Sequence, residues 1–244
     1  MQWSQHTKST TMATPAKGAI AFLRQSLTPA GLDVIIPLTL ERYNSFLKND
    51  TTAASDLRRF LLPVPLPSLD SHLLVLIGNS RAMWEPFLRR VKVEIETEGH
   101  VLPNPVDRYV KQLIEATLDE CENHDIVRPA KVYWVADTEP GKMILAQKMA
   151  VAAHAVSRCP PSQICLHPVL GPWLAFRCAI VFPIEGVPED DDDVEKQPNE
   201  CSHDGKLHDT LAAQMAEALG QVSKDRLTEI YQMRGKNGSC LASQ

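Results

Sequence analysis

Apolar positions along the chain switch between helical spacing and short uninterrupted runs, and each change of period marks an element. From Ala16 to Leu27 the residues Ile20, Phe22, Leu23 and Leu27 form one face of a helix, which Pro29 and Gly31 stop. Asp33 to Leu38 reads as a strand, followed by a short helical turn through Glu41, Arg42, Tyr43 and Asn44 and a surface loop over 49–57. The run Pro63-Val64-Pro65-Leu66-Pro67 must be extended, because prolines at alternate positions exclude a helix. It leads into a strand from His72 to Ile77, a turn at Gly78-Asn79-Ser80, and a short helix around Met83, Trp84, Phe87 and Leu88. The clearest helix starts at Asn104 as its cap, with Pro105 in the first turn and Val106, Val110, Leu113, Ile114 and Leu118 at helical spacing.

Lys131 to Ala136 is a further strand, ending at Asp137. Gly141 then opens a helix from Ile144 to Val156, mostly Ala, Met and Leu, whose polar residues are Gln147, Lys148 and His154. A helix so apolar and small-sided is buried or packs closely against backbone or a flat ligand. Leu174 to Phe182 is apolar on both faces, the pattern of a central strand covered from two sides. Strands and helices alternate, yet several connections are too short for parallel crossovers. The expected fold class is therefore α+β, with helices packed on an antiparallel or mixed sheet.

With 244 residues, 44% of them hydrophobic, the chain has ample material for a core. The core domain is expected over 18–188, after a disordered tail at 1–17 rich in Ser, Thr and Gln. Beyond it, Glu189, Asp190, Asp191, Asp192, Asp193 and Glu195 begin a solvated acidic linker over 189–205. A C-terminal helical segment, 206–244, carries Leu211, Met215 and Leu219 on one face of a helix from Leu207 to Val222. Net charge is −5 with no sustained Lys/Arg cluster, which argues against nucleic acid as a partner. No apolar run approaches the ~18–20 residues of a membrane span. The N-terminus has neither the apolar core of a signal peptide nor an Arg, so a cytoplasmic location is expected. The six cysteines form no C-x-x-C pair, consistent with reduced thiols and no zinc site.

The nucleotide fingerprints G-x-G-x-x-G and P-loop Lys are absent, as is G-x-S-x-G. Arg177 stands in the middle of the apolar strand, where a guanidinium needs an anion or hydrogen-bond acceptors. A buried structural ion pair and a ligand contact both satisfy that need. Cys165 precedes His167 by two residues, so strand alternation puts both on one face. Such a pair can make a thiolate; a buried inert thiol is the plain alternative. His167, before Pro168, can instead hydrogen-bond a loop carbonyl. His154 on its apolar helix is a satisfied core histidine or a ligand. Trp173, after Gly-Pro, is a core plug or the wall of a flat-ligand pocket.

These phrases, taken in order, carry a resemblance. Met143-Ile144-Leu145-Ala146-Gln147, Cys165-Leu166-His167-Pro168 and Gly171-Pro172-Trp173-Leu174-Ala175-Phe176-Arg177 resemble the cobalamin-processing proteins of the cblC type in order and spacing. Upstream, Leu27-Thr28-Pro29-Ala30-Gly31-Leu32-Asp33-Val34, Tyr43-Asn44, Pro65-Leu66-Pro67, Ala82-Met83 and Asn104-Pro105-Val106-Asp107 look like the family too, as does Ile184-Glu185-Gly186-Val187-Pro188 downstream. The resemblance covers roughly 20–190 and implies a nitroreductase-like α+β fold that binds cobalamin with its benzimidazole tail displaced from cobalt. It implies removal of the upper ligand, cyanide by reduction and alkyl groups by transfer to glutathione thiolate, with FMN or FAD as an electron source. A downstream cobalamin-trafficking adaptor is the implied protein partner. A carrier without catalysis and a flavin reductase of the same fold are the alternative readings. Carried over by residue, cobalamin contacts fall on Asp137, Ile144, Leu145, Ala146, Gln147, Cys165 and Phe176, and Arg177 matches the family's glutathione Arg. Val151 stands where the family has a histidine.

Overall fold

The computed structural model describes residues 14–50, 57–69, 71–158 and 164–186. All lie in one of the two units into which the chain divides, Met1–Cys159 with Gln163–Glu200. The acidic linker and the C-terminal helical segment fall outside the described residues, as do most of the expected tail and loop positions 51–56.

Helix α1 (Pro15–Leu27) starts with Pro in its first turn and with Thr14, whose side chain accepts the Lys17 N–H. It buries Ala16, Ala19, Ile20, Phe22, Leu23 and Leu27, the stripe its spacing predicts. A 3-10 turn (Thr28–Ala30) then ends at Gly31, φ +84°. A Cβ at Gly31 would stand 2.2 Å from the Met83 Cα, so both conformation and space demand glycine. Strand β1 (Val34–Thr39) follows, and Thr39 caps helix α2 (Leu40–Asn49) by accepting the Arg42 N–H. The turn expected at Glu41–Asn44 is thus a ten-residue helix, held by burial of Leu40, Tyr43, Asn44 and Leu47.

Strand β2 (Leu73–Asn79) is buried along its whole length. It continues through Gly78 and Asn79, expected as a turn, because both pair with strand β6 (Ala175–Phe182). A 3-10 turn (Arg81–Met83) leads into helix α3 (Trp84–Glu98). That helix runs 15 residues where a short one was expected. Good helix formers and the (i, i+4) pairs Glu85–Arg89 and Lys92–Glu96 carry it on to Gly99 in the left-handed region. Helix α4 (Pro105–Asp119) buries Tyr109, Val110, Ile114 and Thr117. Asn104 occupies its cap position, but in a left-handed conformation and with no side-chain cap bond, so the expected Asn cap is not made.

Strand β3 (Lys131–Trp134) is two residues shorter than the run Lys131–Ala136 suggests. Helix α5 (Ala146–Ala152) is shorter than expected at both ends. Gly141 (φ +77°) serves a turn rather than a helix start, and His154 in the left-handed region (φ 56°) lies past the helix end. Two short strands, β4 (Ser157–Arg158) and β5 (Cys165–Leu166), pair antiparallel beside it.

The main sheet has the order β1-β2-β6-β3, every pairing antiparallel. Alternation along β2 splits its side chains between two cores: Leu73, Val75 and Ile77 face α1, α3 and α4, and Leu74 and Leu76 face α2 and α5. Cys178, Ile180 and Phe182 join the first core, and Ala179 and Val181 the second. The α+β class with helices packed on an antiparallel sheet holds.

Candidate functional site

The residues nominated for a flat ligand converge on the second core. Ile144, Ala146 and Cys165 are buried there, and Leu145, Phe176, Leu170 and Leu174 pack against them partly buried. Gln147 is exposed at the first turn of α5, and Asp137 is half-buried in the turn after β3. What positions the α5 start is Tyr43, fully buried in α2. Its hydroxyl accepts the Leu145 N–H (3.1 Å) and donates to the Phe60 carbonyl (3.4 Å). Burial pushes the Tyr43 phenol up to about 12, against the lowering effect of the Leu145 N–H, so it stays a donor at neutral pH. Its neighbour Asn44 holds Leu62 through both backbone groups, Nδ2–H to the carbonyl (2.8 Å) and Oδ1 from the N–H (3.0 Å). At the other end of the segment, buried His72 takes the Leu66 N–H at Nε2 (3.3 Å), which leaves the Nδ1 proton for Glu41 (2.6 Å). Lys148 of α5 pairs with Asp50, closing α2 onto α5. Small Ala residues thus sit beside backbone fixed by side chains from α2.

Arg177 lies on the opposite side. Pairing of β2 with β6 runs Ile77 to Cys178 and then Gly78 to Phe176, so Arg177 is passed over as an extra residue, a β-bulge. The bulge reverses the alternation: Phe176 packs on the second core, while Arg177 turns toward α4. Gly78 makes room for it, since a Cβ there would lie 2.7 Å from the Ala175 carbonyl oxygen. Arg177 Nε donates to Asn79 Oδ1 at 2.7 Å. Asn79 is itself buried and fixed by donating Nδ2–H to the Ser80 carbonyl (2.9 Å). Asp107, at the start of α4, comes within 4.0 Å of Arg177 Nη1, with its side chain 69% exposed against 22% for Arg177. Burial lowers the Arg177 pKa and Asp107 raises it. A buried ion pair, one of the two sequence-based readings of this Arg, is not what forms.

At the same end of the sheet Asp33 accepts the Ser80 N–H (2.7 Å) and hydroxyl (2.6 Å), and Ser80 Oγ accepts the Ala82 N–H (3.1 Å). Asp33 also lies near enough to His167 to raise its pKa, although burial has the larger, lowering effect.

The Cys165–His167 thiolate is not supported. Burial pushes the Cys165 thiol up to about 11, with Arg158 lowering it only in part. The ring of His167 is turned to its own loop, Nδ1 accepting the Val169 and Leu170 N–H groups at 3.2 Å each. A loop bond was foreseen for His167, but as donation to a carbonyl; the ring accepts instead. His154 sits beyond the α5 helix in a turn, half-buried, so it does not continue the face of buried Val151. Trp173 is 63% exposed and is no core plug. With Val169, 85% exposed, it gives the 167–174 loop an apolar outer surface.

Tyr43, Asn79 and Asp107 were given no role from sequence. For Asn79 a signal existed: it keeps the period-two phase of Leu73, Val75 and Ile77, which puts a carboxamide on an inner face. Elsewhere, α3 and α4 enclose a groove of about 260 Å³ lined by Phe87, Glu94, Leu102, Arg108 and Tyr109, and none of the nominated residues reaches it. Among the described residues no grouping of three or more His, Cys, Asp or Glu could hold a metal ion, and no helix is long and apolar enough to cross a membrane.

No family model matches the chain, and no curated protein matches it by sequence. A solved structure does match in three dimensions: the crystal structure of a C. elegans B12-trafficking protein CblC, described as a human MMACHC homologue. The TM-score is 0.57 at 18% identity, over 72% of each chain. This chain shares that protein's fold. At that identity the likeness carries the architecture alone.

Proposed function

We propose that this chain is a cobalamin-processing protein of the cblC type. It binds cobalamin base-off along the second core and removes the upper ligand, alkyl groups by transfer to glutathione thiolate and cyanide by reduction, with flavin as an optional electron source. The observation that carries the reading is the convergence of Ile144, Leu145, Ala146, Cys165 and Phe176, nominated from short phrases far apart in sequence, on one core beside α5. Small and apolar side chains there suit a flat macrocycle, and the exposed carboxamide of Gln147 suits its peripheral amides. In dealkylation the alkyl carbon forms a bond to the glutathione sulfur, while the electron pair of the broken bond stays on cobalt. The protein then supplies no nucleophile, which agrees with a protonated Cys165. Arg177 receives a glutathione carboxylate on the opposite face, which requires the tripeptide to reach round the sheet end to bring its thiolate to the second core. Trp173 and His167 border the ligand from the 167–174 loop. The free thiols Cys121, Cys165 and Cys178 suit the cytoplasm, and cobalamin passes on to a trafficking adaptor.

The test is the visible spectrum of the protein with methylcobalamin and glutathione under anaerobic conditions. A base-off shift followed by cob(I)alamin is expected. A base-off shift without conversion would make the chain a carrier, and no shift would reject cobalamin as its ligand.

A further inference from the structure

We infer that Arg177 is a tuned anion site, in which Asn79 orients the guanidinium and Asp107 competes for it. The inference rests on the proposed function only for the choice of glutathione as the anion. The guanidinium has an inner edge and an outer one. Nε is committed to Asn79 Oδ1 at 2.7 Å, and Asn79 cannot turn away, because it is buried and donates to the Ser80 carbonyl. The bulge at Gly78 fixes the backbone beneath it. The Nη edge is left for other partners, with Nη1 4.0 Å from Asp107 at the start of α4, and such an edge is a fork matched in geometry to a carboxylate.

Asp107 already supplies a carboxylate there, but a poor one. At 4.0 Å it touches one Nη group at the limit of an ion pair, and 69% exposure leaves it hydrated. An incoming carboxylate that takes both Nη groups gains what Asp107 does not, and must overcome only a weak resident. Asp107 thus sets a threshold: it neutralises Arg177 in the empty protein and lowers its affinity for small anions, leaving an advantage to a ligand held by further contacts. Asn79 is a positioning residue, and Asp107 is specificity-determining.

The experiment measures glutathione binding by titration calorimetry on the full chain, without cobalamin, at low and at physiological salt. Asp107→Asn is expected to tighten binding by about two- to fivefold, the range for an exposed pair, and the gain should shrink as salt screens it. Asn79→Ala is expected to weaken binding by about tenfold in the wild-type background, and by nothing further in Arg177→Gln. That non-additivity would not arise from a merely structural role. Weaker or unchanged binding in Asp107→Asn, additive losses for Asn79 and Arg177, or no glutathione binding by the wild type would each overturn the inference. The base-off spectrum of the same variants with cobalamin alone reads the proposed function separately, so either idea can fail while the other stands.

Discussion

The two faces of the sheet are closed by different means. On the face of α1, α3 and α4, large side chains fill the space: Phe22, Leu23, Leu27, Met83, Phe87 and Tyr109 lie against Val75, Ile77 and Phe182. The helices there are 13 and 15 residues long. On the face of α2 and α5, the covering helix α5 has seven residues, four of them Ala or Val beside the core. Its order comes from directed bonds, Tyr43 to Leu145, Asn44 to Leu62 and Lys148 to Asp50. Apolar packing is non-directional and tolerates substitution if volume is kept, whereas a buried directed bond fails outright when one partner is lost. The first face is closed mainly by volume, and the second adds bonds that fix the backbone where α5 begins.

The largest effect expected from breaking this contrast is on the first face. Gly31→Ala drives a Cβ into the Met83 backbone and strains a positive φ, at a cost of about 3 kcal/mol or more. Melting temperature should fall by ~6–12 °C on that basis, while the folded fraction keeps its cobalamin spectrum. A melting temperature within a degree of wild type would show that the turn relaxes freely.

A matched pair of hydroxyl deletions sharpens the comparison. Tyr43→Phe strands the Leu145 N–H and should cost about 1–3 kcal/mol. Tyr109→Phe, which gives up a bond to the Ala30 carbonyl on the first face, should cost about 1 kcal/mol. Only the former is expected to weaken cobalamin binding. Equal losses of binding in the two variants would contradict the division between faces.

Much of this fold is legible in the sequence. Helix α1 and the β2 and β6 strands follow directly from apolar period, and the α+β class follows from short connections. What was not legible came from pairing across the chain. A bulge is a relation between two strands, so nothing within Phe176-Arg177-Cys178 announces that Arg177 leaves the alternation. The same holds for α2, whose helical propensity is ordinary and whose length depends on burial of Tyr43 and Asn44. The end of α5 was missed because Ala153-His154-Ala155 carries no glycine to mark a left-handed residue, which here is His154. The site residues nominated by resemblance fell mostly into one core, while Tyr43-Asn44, quoted only as part of that resemblance, carried no sign that its side chains reach Leu145 and Leu62.

Smaller effects follow from the protonation of the second face. With its thiol held up near 11, Cys165 should react with iodoacetamide at pH 8 at least about a hundredfold more slowly than an ordinary cysteine. Mass spectrometry of the native protein checks this, and fast labelling would restore the thiolate reading. For His167, burial favours the neutral ring, which accepts two loop N–H groups. The stabilisation is therefore full above the ordinary histidine value and is lost as pH falls from that value through the lowered one. Hydrogen exchange at Val169 and Leu170, corrected for intrinsic rate, should quicken on acidification, and His167→Ala should abolish the dependence. Protection that stays constant across that range would place the control of the loop elsewhere.

The tethers of the site have one more consequence, for the order in which the molecule assembles. Tyr43 and Leu145 are 102 positions apart, and Asn79 and Arg177 are 98 apart. Closing loops of that length costs entropy before any contact repays it, so such bonds form after local helices and hairpins have already condensed. The β2–β6 pairing that both cores share spans a similar separation, Leu73 to Phe182, so the closed sheet and the tethers form late together. Ligand present during folding would stabilise the last step rather than the first. Weakening Tyr43 or Asn79 should accordingly leave the refolding rate almost unchanged and hasten unfolding.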